Sequence, residues 1–222
     1  MTAAGPALVL HGYWRSSAAY RVRIGLGLKG LGWRDVPVHL VRDGGQQHSA
    51  AHAALNPQQL VPVLEHDGRV LLQSLAILEY LDEAFPDTTP LLPADAAGRA
   101  RVRALAQLVA CDIHPLNNLR VMQYLGRELG AGEEARLAWT RHWMAEGFAA
   151  MEAMLATSTQ TGRFCHGDVP GLADCCLLPQ LYNARRFDLD LSPYPTLVRI
   201  EQACLALPAF AAAVPEAQPD AG

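Results

Sequence analysis

The sequence has no basic block. Its 18 lysines and arginines are outnumbered by 22 acidic residues, giving a formal net charge of −4, and a surface built to neutralise phosphate backbones needs the opposite balance. Nucleic acid is therefore not an expected partner. Long apolar runs are missing too: no stretch of about 18 residues is free of charges and prolines, so no membrane span is expected. Residues Met1 to Leu10 lack a charged segment leading into an apolar one, so no secretory leader is expected either, and the reading is cytoplasmic. Cysteine is scarce. Cys111, Cys165, Cys175, Cys176 and Cys204 are odd in number, form no C-x-x-C pair and all lie in the second half of the chain. They read as reduced, mostly buried thiols rather than a disulfide framework or a zinc ribbon. His48 and His52 share a helical face, but no zincin glutamate stands between them and no third ligand follows at a recognisable spacing, so no metal is expected.

What is present is a 222-residue chain, 50% hydrophobic and 18% charged, a composition of folded rather than disordered proteins. This length suits two domains of roughly 100 residues each. Residues Ala7 to His11 read as a strand. A polar turn, Gly12 to Ser17, leads into a helix from Ala18 to Gly30, where Gly30 suits the C-terminal cap. Trp33 to Leu40 reads as a second strand and Gln46 to Leu55 as a modest helix. Asn56-Pro57 breaks that helix before a strand at Val61 to Leu64, and Asp67-Gly68 turns a hairpin into Val70 to Leu72. Ser74 is placed to cap a helix from Leu75 to Phe85. The order is β-α-β-α-β-β-α, a thioredoxin-like domain over residues 1–86. Three prolines between Pro86 and Pro93 mark a linker at 87–93. Residues 94–222 read as an all-helical domain: Ala96 to about Leu125, Glu133 to Ala156, Leu172 to Arg186 and Tyr194 to Leu207, with an Ala/Pro-rich end from Pro208 expected to fray.

Three corners of the first domain carry polar chemistry. Arg15-Ser16-Ser17 falls where a strand turns into a helix, and a helix N-terminus with hydroxyls can stabilise an anion such as a thiolate; a plain N-cap is the simpler use of one serine. Leu60-Val61-Pro62 precedes a strand, where a cis proline turns the backbone outward to pair with an extended peptide, and without a ligand it is a turn. Gln73-Ser74 opens a helix and can hold a carboxylate or simply cap it. Each signal is weak alone, but all three fall on one edge of a thioredoxin-like sheet.

The run Tyr13-Trp14-Arg15-Ser16-Ser17-Ala18-Ala19-Tyr20-Arg21-Val22-Arg23-Ile24, with Asn56 to Pro62, Gln73 to Ile77 and Asp112 to Arg120, resembles the zeta-class glutathione transferases. Leu172-Ala173-Asp174, Pro179-Gln180, Asn183 to Phe187 and Pro193-Tyr194-Pro195 extend the resemblance over nearly the whole chain. Within that class the sequence is most similar to maleylacetoacetate isomerases, with maleylpyruvate isomerases beside them. The resemblance implies the glutathione transferase fold, a homodimer and glutathione as cofactor. It implies that Ser16 and Ser17 contact the glutathione thiol, that Gln47 and the Val61 backbone hold its peptide portion, and that Gln73 and Ser74 take its γ-glutamyl end. His114, Asn118, Leu119 and Arg120, on the long helix, would complete the cofactor site. Arg15, Arg120 and Arg186 would hold the carboxylates of a cis-dienoate substrate.

The implied reaction is cis–trans isomerisation of maleylacetoacetate to fumarylacetoacetate in tyrosine and phenylalanine catabolism. Its alternatives are maleylpyruvate isomerisation in gentisate catabolism, a transferase or dehalogenase acting on small haloacids, and a non-catalytic binding module. Two departures stand out. Many zeta enzymes have a cysteine after the serine pair, where this chain has Ala18, so the reactive sulfur must come from glutathione. The capping box Ser/Thr-x-x-Asp reads Gly171-Leu172-Ala173-Asp174 and lacks its hydroxyl.

Overall fold

Short apolar strands that alternate with amphipathic helices have one economical solution, a sheet covered by the helices that connect it. The computed structural model describes residues 8 to 221. Its chain forms two compact units, one made of residues up to Leu91 together with those from Leu207 onward, the other of Leu92–Ala206.

In the first unit β1 (Leu8–Gly12), β2 (Trp33–Pro37), β3 (Val63–His66) and β4 (Arg69–Leu72) form a sheet in the order β2-β1-β3-β4. Ala7, read as the first strand residue, lies outside the described residues. β1 and β2 run parallel, whereas β3 is antiparallel to both β1 and β4. The β3–β4 hairpin turns at Asp67 (φ 48°) and Gly68 (φ 74°), the left-handed pair that the Asp-Gly dipeptide supplies at least steric cost. α1 (Ser17–Leu28), α2 (Ala50–Leu55) and α3 (Ser74–Ala84) follow β1, β2 and β4 in the expected order.

Leu8, Leu10, Val22, Leu26, Leu64, Ile77 and Leu81 make the core of this unit, between the sheet and α1 with α3. Gly25 lets the two helices meet, since a Cβ there would fall 2.1 Å from Leu78 Cδ2. α1 ends as expected at Gly30 (φ 65°), with Gly30 N–H donating to Gly27 and Leu31 N–H to Leu26, the paired bonds of a Schellman cap. Lys29, its side chain 1% exposed, donates to Asp82 at 3.0 Å and to the Thr89 carbonyl.

Three local expectations need correction. The Gln46–Leu55 helix is a 3₁₀ turn, Gln46–His48, and then α2, because Ser49 starts a new helix by accepting the His52 N–H. Gln73 rather than Ser74 occupies the cap position of α3. The C-terminal segment does not fray: α9 (Pro208–Ala211) contacts α1, and a 3₁₀ turn follows at Pro215–Ala217.

The second unit is built from helices, with one isolated β-bridge between Thr161 and Gly167 in the loop after the longest of them. α4 (Ala96–Gln107), α5 (Leu119–Arg127), α6 (Glu133–Ala156), α7 (Leu172–Arg186) and α8 (Pro195–Leu205) carry it. The single helix expected from Ala96 to about Leu125 is broken into α4, a π turn at Leu108–Ile113, a 3₁₀ turn at His114–Asn117 and α5. Pro115 has no N–H to continue the ladder, and Asn118 restarts it by accepting the Arg120 N–H. Asp174 compensates for the missing capping hydroxyl. Its buried carboxylate accepts the Gly171 and Cys165 N–H groups, both at 2.9 Å. Among the described residues, no helix is long and apolar enough to cross a membrane.

Candidate active site

Strand register decides which loops meet. His11 pairs with Val63, and Val63 with Leu72, so the end of β1, the start of β3 and the end of β4 lie side by side. Gly12 pairs with Pro37 at the end of parallel β2. The loops bearing Arg15, Ser16 and Ser17, Val61 and Pro62, and Gln73 and Ser74 therefore leave the sheet at one end, together with the chain running on to Gln47.

At the first corner Ser16 is the N-cap of α1. Its Oγ accepts the Ala19 N–H at 3.2 Å, which leaves its O–H to donate. Ser16 is half-buried, whereas Ser17, the first helical residue, is buried. A hydroxyl donor at a helix N-terminus, where free N–H groups and the macrodipole are positive, stabilises an anion placed there. The Arg15 guanidinium stacks on the Trp14 ring, 4.9 Å from its centre.

At the second corner the Val61–Pro62 peptide is cis. The preceding Leu60 carbonyl is gripped by buried side chains, accepting from Asn56 Nδ2 at 2.9 Å with His52 Nε2 at 3.0 Å. Gln47 is 7% exposed. Its Nε2 donates to the Leu40 carbonyl, while its Oε1 is buried without a hydrogen-bond partner. A buried acceptor left unmade costs about 1–3 kcal/mol, so this atom is poised for a ligand N–H. His48 Nδ1 meets Gln59 Oε1 at 2.6 Å, so the two imidazoles of the 48/52 pair engage neighbouring residues of one loop, His48 the Gln59 side chain and His52 the Leu60 carbonyl.

At the third corner Gln73 holds φ 68°, and its Nε2 donates to Gln58 Oε1 at 2.8 Å, linking this corner to the second. Ser74, buried, accepts from Arg21 Nη1 at 3.2 Å. Arg21 and Arg23, 2% and 3% exposed on α1, support these corners. Their signal was two arginines inside an otherwise apolar helix.

The remaining expected residues belong to the second unit. His114 opens the 3₁₀ turn, Asn118 caps α5, and Leu119 and exposed Arg120 are its first two residues. The sequence reading puts them on one long helix; the structure instead divides them between the 3₁₀ turn and the start of α5. Arg186 ends α7 with its guanidinium 4.4 Å from the centre of the Phe187 ring. The sheet register that assembles the first-unit residues does not reach any of these. An open cavity of about 440 Å³ in the second unit, lined by Cys111, Asp112, Ile113, Leu116, Trp143, Glu146 and Gly147, includes no expected site residue.

Residues 10–89 match the family model "Glutathione S-transferase, N-terminal domain". The chain is 53% identical over 214 residues to a probable maleylacetoacetate isomerase of Vibrio cholerae, covering 96% of this chain and 98% of that protein. It superposes with a TM-score of 0.93 on the holo structure of a maleylpyruvate isomerase described as a bacterial zeta-class glutathione S-transferase, at 50% identity, covering 96% of this chain and all of the other. The chain belongs to the zeta-class glutathione transferases. A further neighbour, a maleylacetoacetate isomerase of Methylobacterium extorquens AM1 with bound malonate and glutathione, gives a TM-score of 0.92 at 44% identity, covering 96% of this chain and 99% of that one. In this zeta-class transferase the serine, proline and glutamine–serine corners lie at one sheet end, and none of the five cysteines is in a disulfide.

Proposed function

We propose that this zeta-class transferase is a glutathione-dependent cis–trans isomerase converting maleylacetoacetate to fumarylacetoacetate. The observation that carries the reading is Ser16: its oxygen is tied into the α1 cap while its proton is left to donate, beside two corners suited to a peptide ligand. The orphaned Gln47 Oε1 fits the peptide N–H of glutathione. Bound glutathione supplies a thiolate whose reversible addition makes the cis double bond a rotatable single bond and whose elimination leaves the trans isomer.

The chain's residues have three tasks. Ser16, with Ser17 and the α1 terminus, lowers the thiol pKa by donating to the anion. Gln47, the Val61 backbone, Gln73 and Ser74 bind the tripeptide, with His114, Asn118, Leu119 and Arg120 as further cofactor contacts. Arg15, Arg120 and Arg186 would orient the dicarboxylate and hold negative charge on its oxygens, a planar guanidinium matching a carboxylate with two parallel hydrogen bonds. The relatives carry maleylpyruvate as well as maleylacetoacetate in their names. Turnover of the two compounds, followed spectroscopically with and without glutathione, tests the choice: a kcat/KM higher for maleylacetoacetate is expected, and a clear preference for maleylpyruvate would reassign the substrate.

The same reading makes the protein a cytoplasmic homodimer. Five thiols outside any disulfide suit a reducing compartment, and the dimer follows from the family resemblance. A monomeric mass by light scattering at micromolar concentration would count against the dimer.

A further inference from the structure

The turn that carries Ser16 is braced from the far end of the chain. β1 ends at Gly12 and α1 begins at Ser17, and both are fixed by their own ladders. Between them, the Ser16 N–H donates to the Tyr13 carbonyl at 2.9 Å. The Trp14 peptide groups have no partner in sheet or helix. The Trp14 N–H donates to Asp220 Oδ2 at 3.0 Å, and the Trp14 carbonyl accepts from Arg23 Nη2 at 2.9 Å. Arg23 Nε donates in turn to the Ala213 carbonyl at 3.3 Å. Both backbone groups of Trp14 are thus held by the C-terminal segment, one directly and one through a buried guanidinium.

That segment is itself fastened. Gln218 Nε2 donates to the Ala212 and Val214 carbonyls at 3.0 and 2.8 Å, and the Ala221 N–H donates to the Gln218 carbonyl. Asp220 and Arg23 support each other electrostatically. Burial pulls the Arg23 guanidinium down to about 10, while the Asp35 and Asp220 carboxylates raise it, so the charge persists at neutral pH and both bonds to Trp14 are charge-assisted, the stronger kind.

We infer that Asp220 is a positioning residue for the serine corner: by accepting the Trp14 N–H it fixes the turn from which Ser16 presents its hydroxyl to the cofactor thiolate. The inference rests on the glutathione reading above, and the sign of one measurement separates positioning from charge. A carboxylate near a thiolate opposes its ionisation, so if charge alone mattered, removing Asp220 would lower the pKa of the bound thiol. If Asp220 acts by holding the turn, its removal misplaces the Ser16 donor and raises that pKa. Asparagine lacks the charge but keeps an oxygen acceptor.

The test measures the ultraviolet absorbance of the glutathione thiolate bound to the full-length protein as a function of pH, for wild type, Asp220→Ala and Asp220→Asn. Glutathione affinity, kcat and Tm are recorded alongside. In the wild type the bound thiol should ionise below the ordinary thiol pKa of about 8.5. Asp220→Ala should raise the bound value by about one unit and cut kcat at neutral pH by up to about tenfold, with glutathione affinity, measured at a pH below both bound values, within about twofold because the other corners are untouched. Asp220→Asn should restore most of the kcat. An alanine variant whose bound thiol pKa is unchanged or lowered overturns the inference even if Tm falls, since the contact would then be structural or merely electrostatic. A wild type that binds glutathione without lowering its thiol pKa overturns the serine reading itself and this inference with it.

Discussion

On the proposed reading Ser16 performs two tasks with one hydroxyl, and substitutions can separate them. Its oxygen accepts the Ala19 N–H as the α1 cap, while its proton is proposed to serve the thiolate. Ser16→Ala removes both. Loss of an N-cap bond costs about 1 kcal/mol, within a range of roughly 0.5–2, and a chain of this size loses about 2–4 °C of Tm for each kcal/mol. Loss of one hydrogen-bond donor to a reacting anion costs about 10- to 1000-fold in rate. Ser16→Asp splits the pair. Its carboxylate still caps the helix, so Tm should stay close to wild type, but an anion at the thiolate position raises the thiol pKa and activity should fall at least as far as in the alanine variant. Thermal melts and initial rates at saturating glutathione measure the two effects separately. Wild-type turnover in Ser16→Asp, or in a Ser16→Ala/Ser17→Ala double variant, would refute the assignment.

Other expectations follow from the same geometry. In the native protein a chromogenic disulfide reagent should titrate one thiol per chain, exposed Cys111, and five after unfolding, because the other cysteines are buried and burial pushes the Cys165, Cys175 and Cys204 thiols up; several fast-reacting thiols would contradict the helical core. Arg186→Lys should raise KM for the dienoate with glutathione affinity nearly unchanged, because lysine offers a point charge in place of a fork, whereas Arg120→Lys should weaken both ligands; an equal loss of glutathione affinity in Arg186→Lys would move that residue to the cofactor site. Burial raises the Asp174 carboxyl above its ordinary value despite the two N–H groups it accepts. Its protonated form is therefore favoured by the fold, and that contribution is complete below the unfolded value of about 3.9 and lost as pH rises through the raised folded one. The stability difference between wild type and Asp174→Asn, from denaturant melts between pH 4 and 8, should shift against the wild type as pH rises; a shift in its favour would refute the assigned direction.

What the sequence made legible was local. Asp67-Gly68 specifies its hairpin through two left-handed residues, and α6 and α7 carry the bounds that periodicity assigns them, because apolar positions at helical spacing, such as Met144, Phe148, Met151 and Leu155 in α6, are written along the chain. The serine, proline and glutamine–serine corners were legible as separate turns, but their meeting at one sheet end is a matter of register, His11 to Val63 to Leu72. The break after Gln107 was missed because periodicity continues through Leu108–Ile113 while the hydrogen bonding changes to a π turn ahead of Pro115. Asp220 was out of reach for another reason: its partner Trp14 is 206 residues away, and no pattern along the chain announces a single carboxylate meeting a single N–H.

Ala18 stands where many zeta enzymes carry a cysteine, and none of the five cysteines precedes residue 111, so the account needs the sulfur of glutathione and returns it unchanged. The most direct measurement follows maleylacetoacetate isomerisation spectroscopically in thiol-free buffer and again with catalytic glutathione, and assays total glutathione at the end. Without glutathione no turnover above the uncatalysed rate is expected; with it, many turnovers per glutathione and full recovery of the tripeptide. Full turnover in thiol-free buffer, or glutathione consumed one for one with product, would contradict this reading.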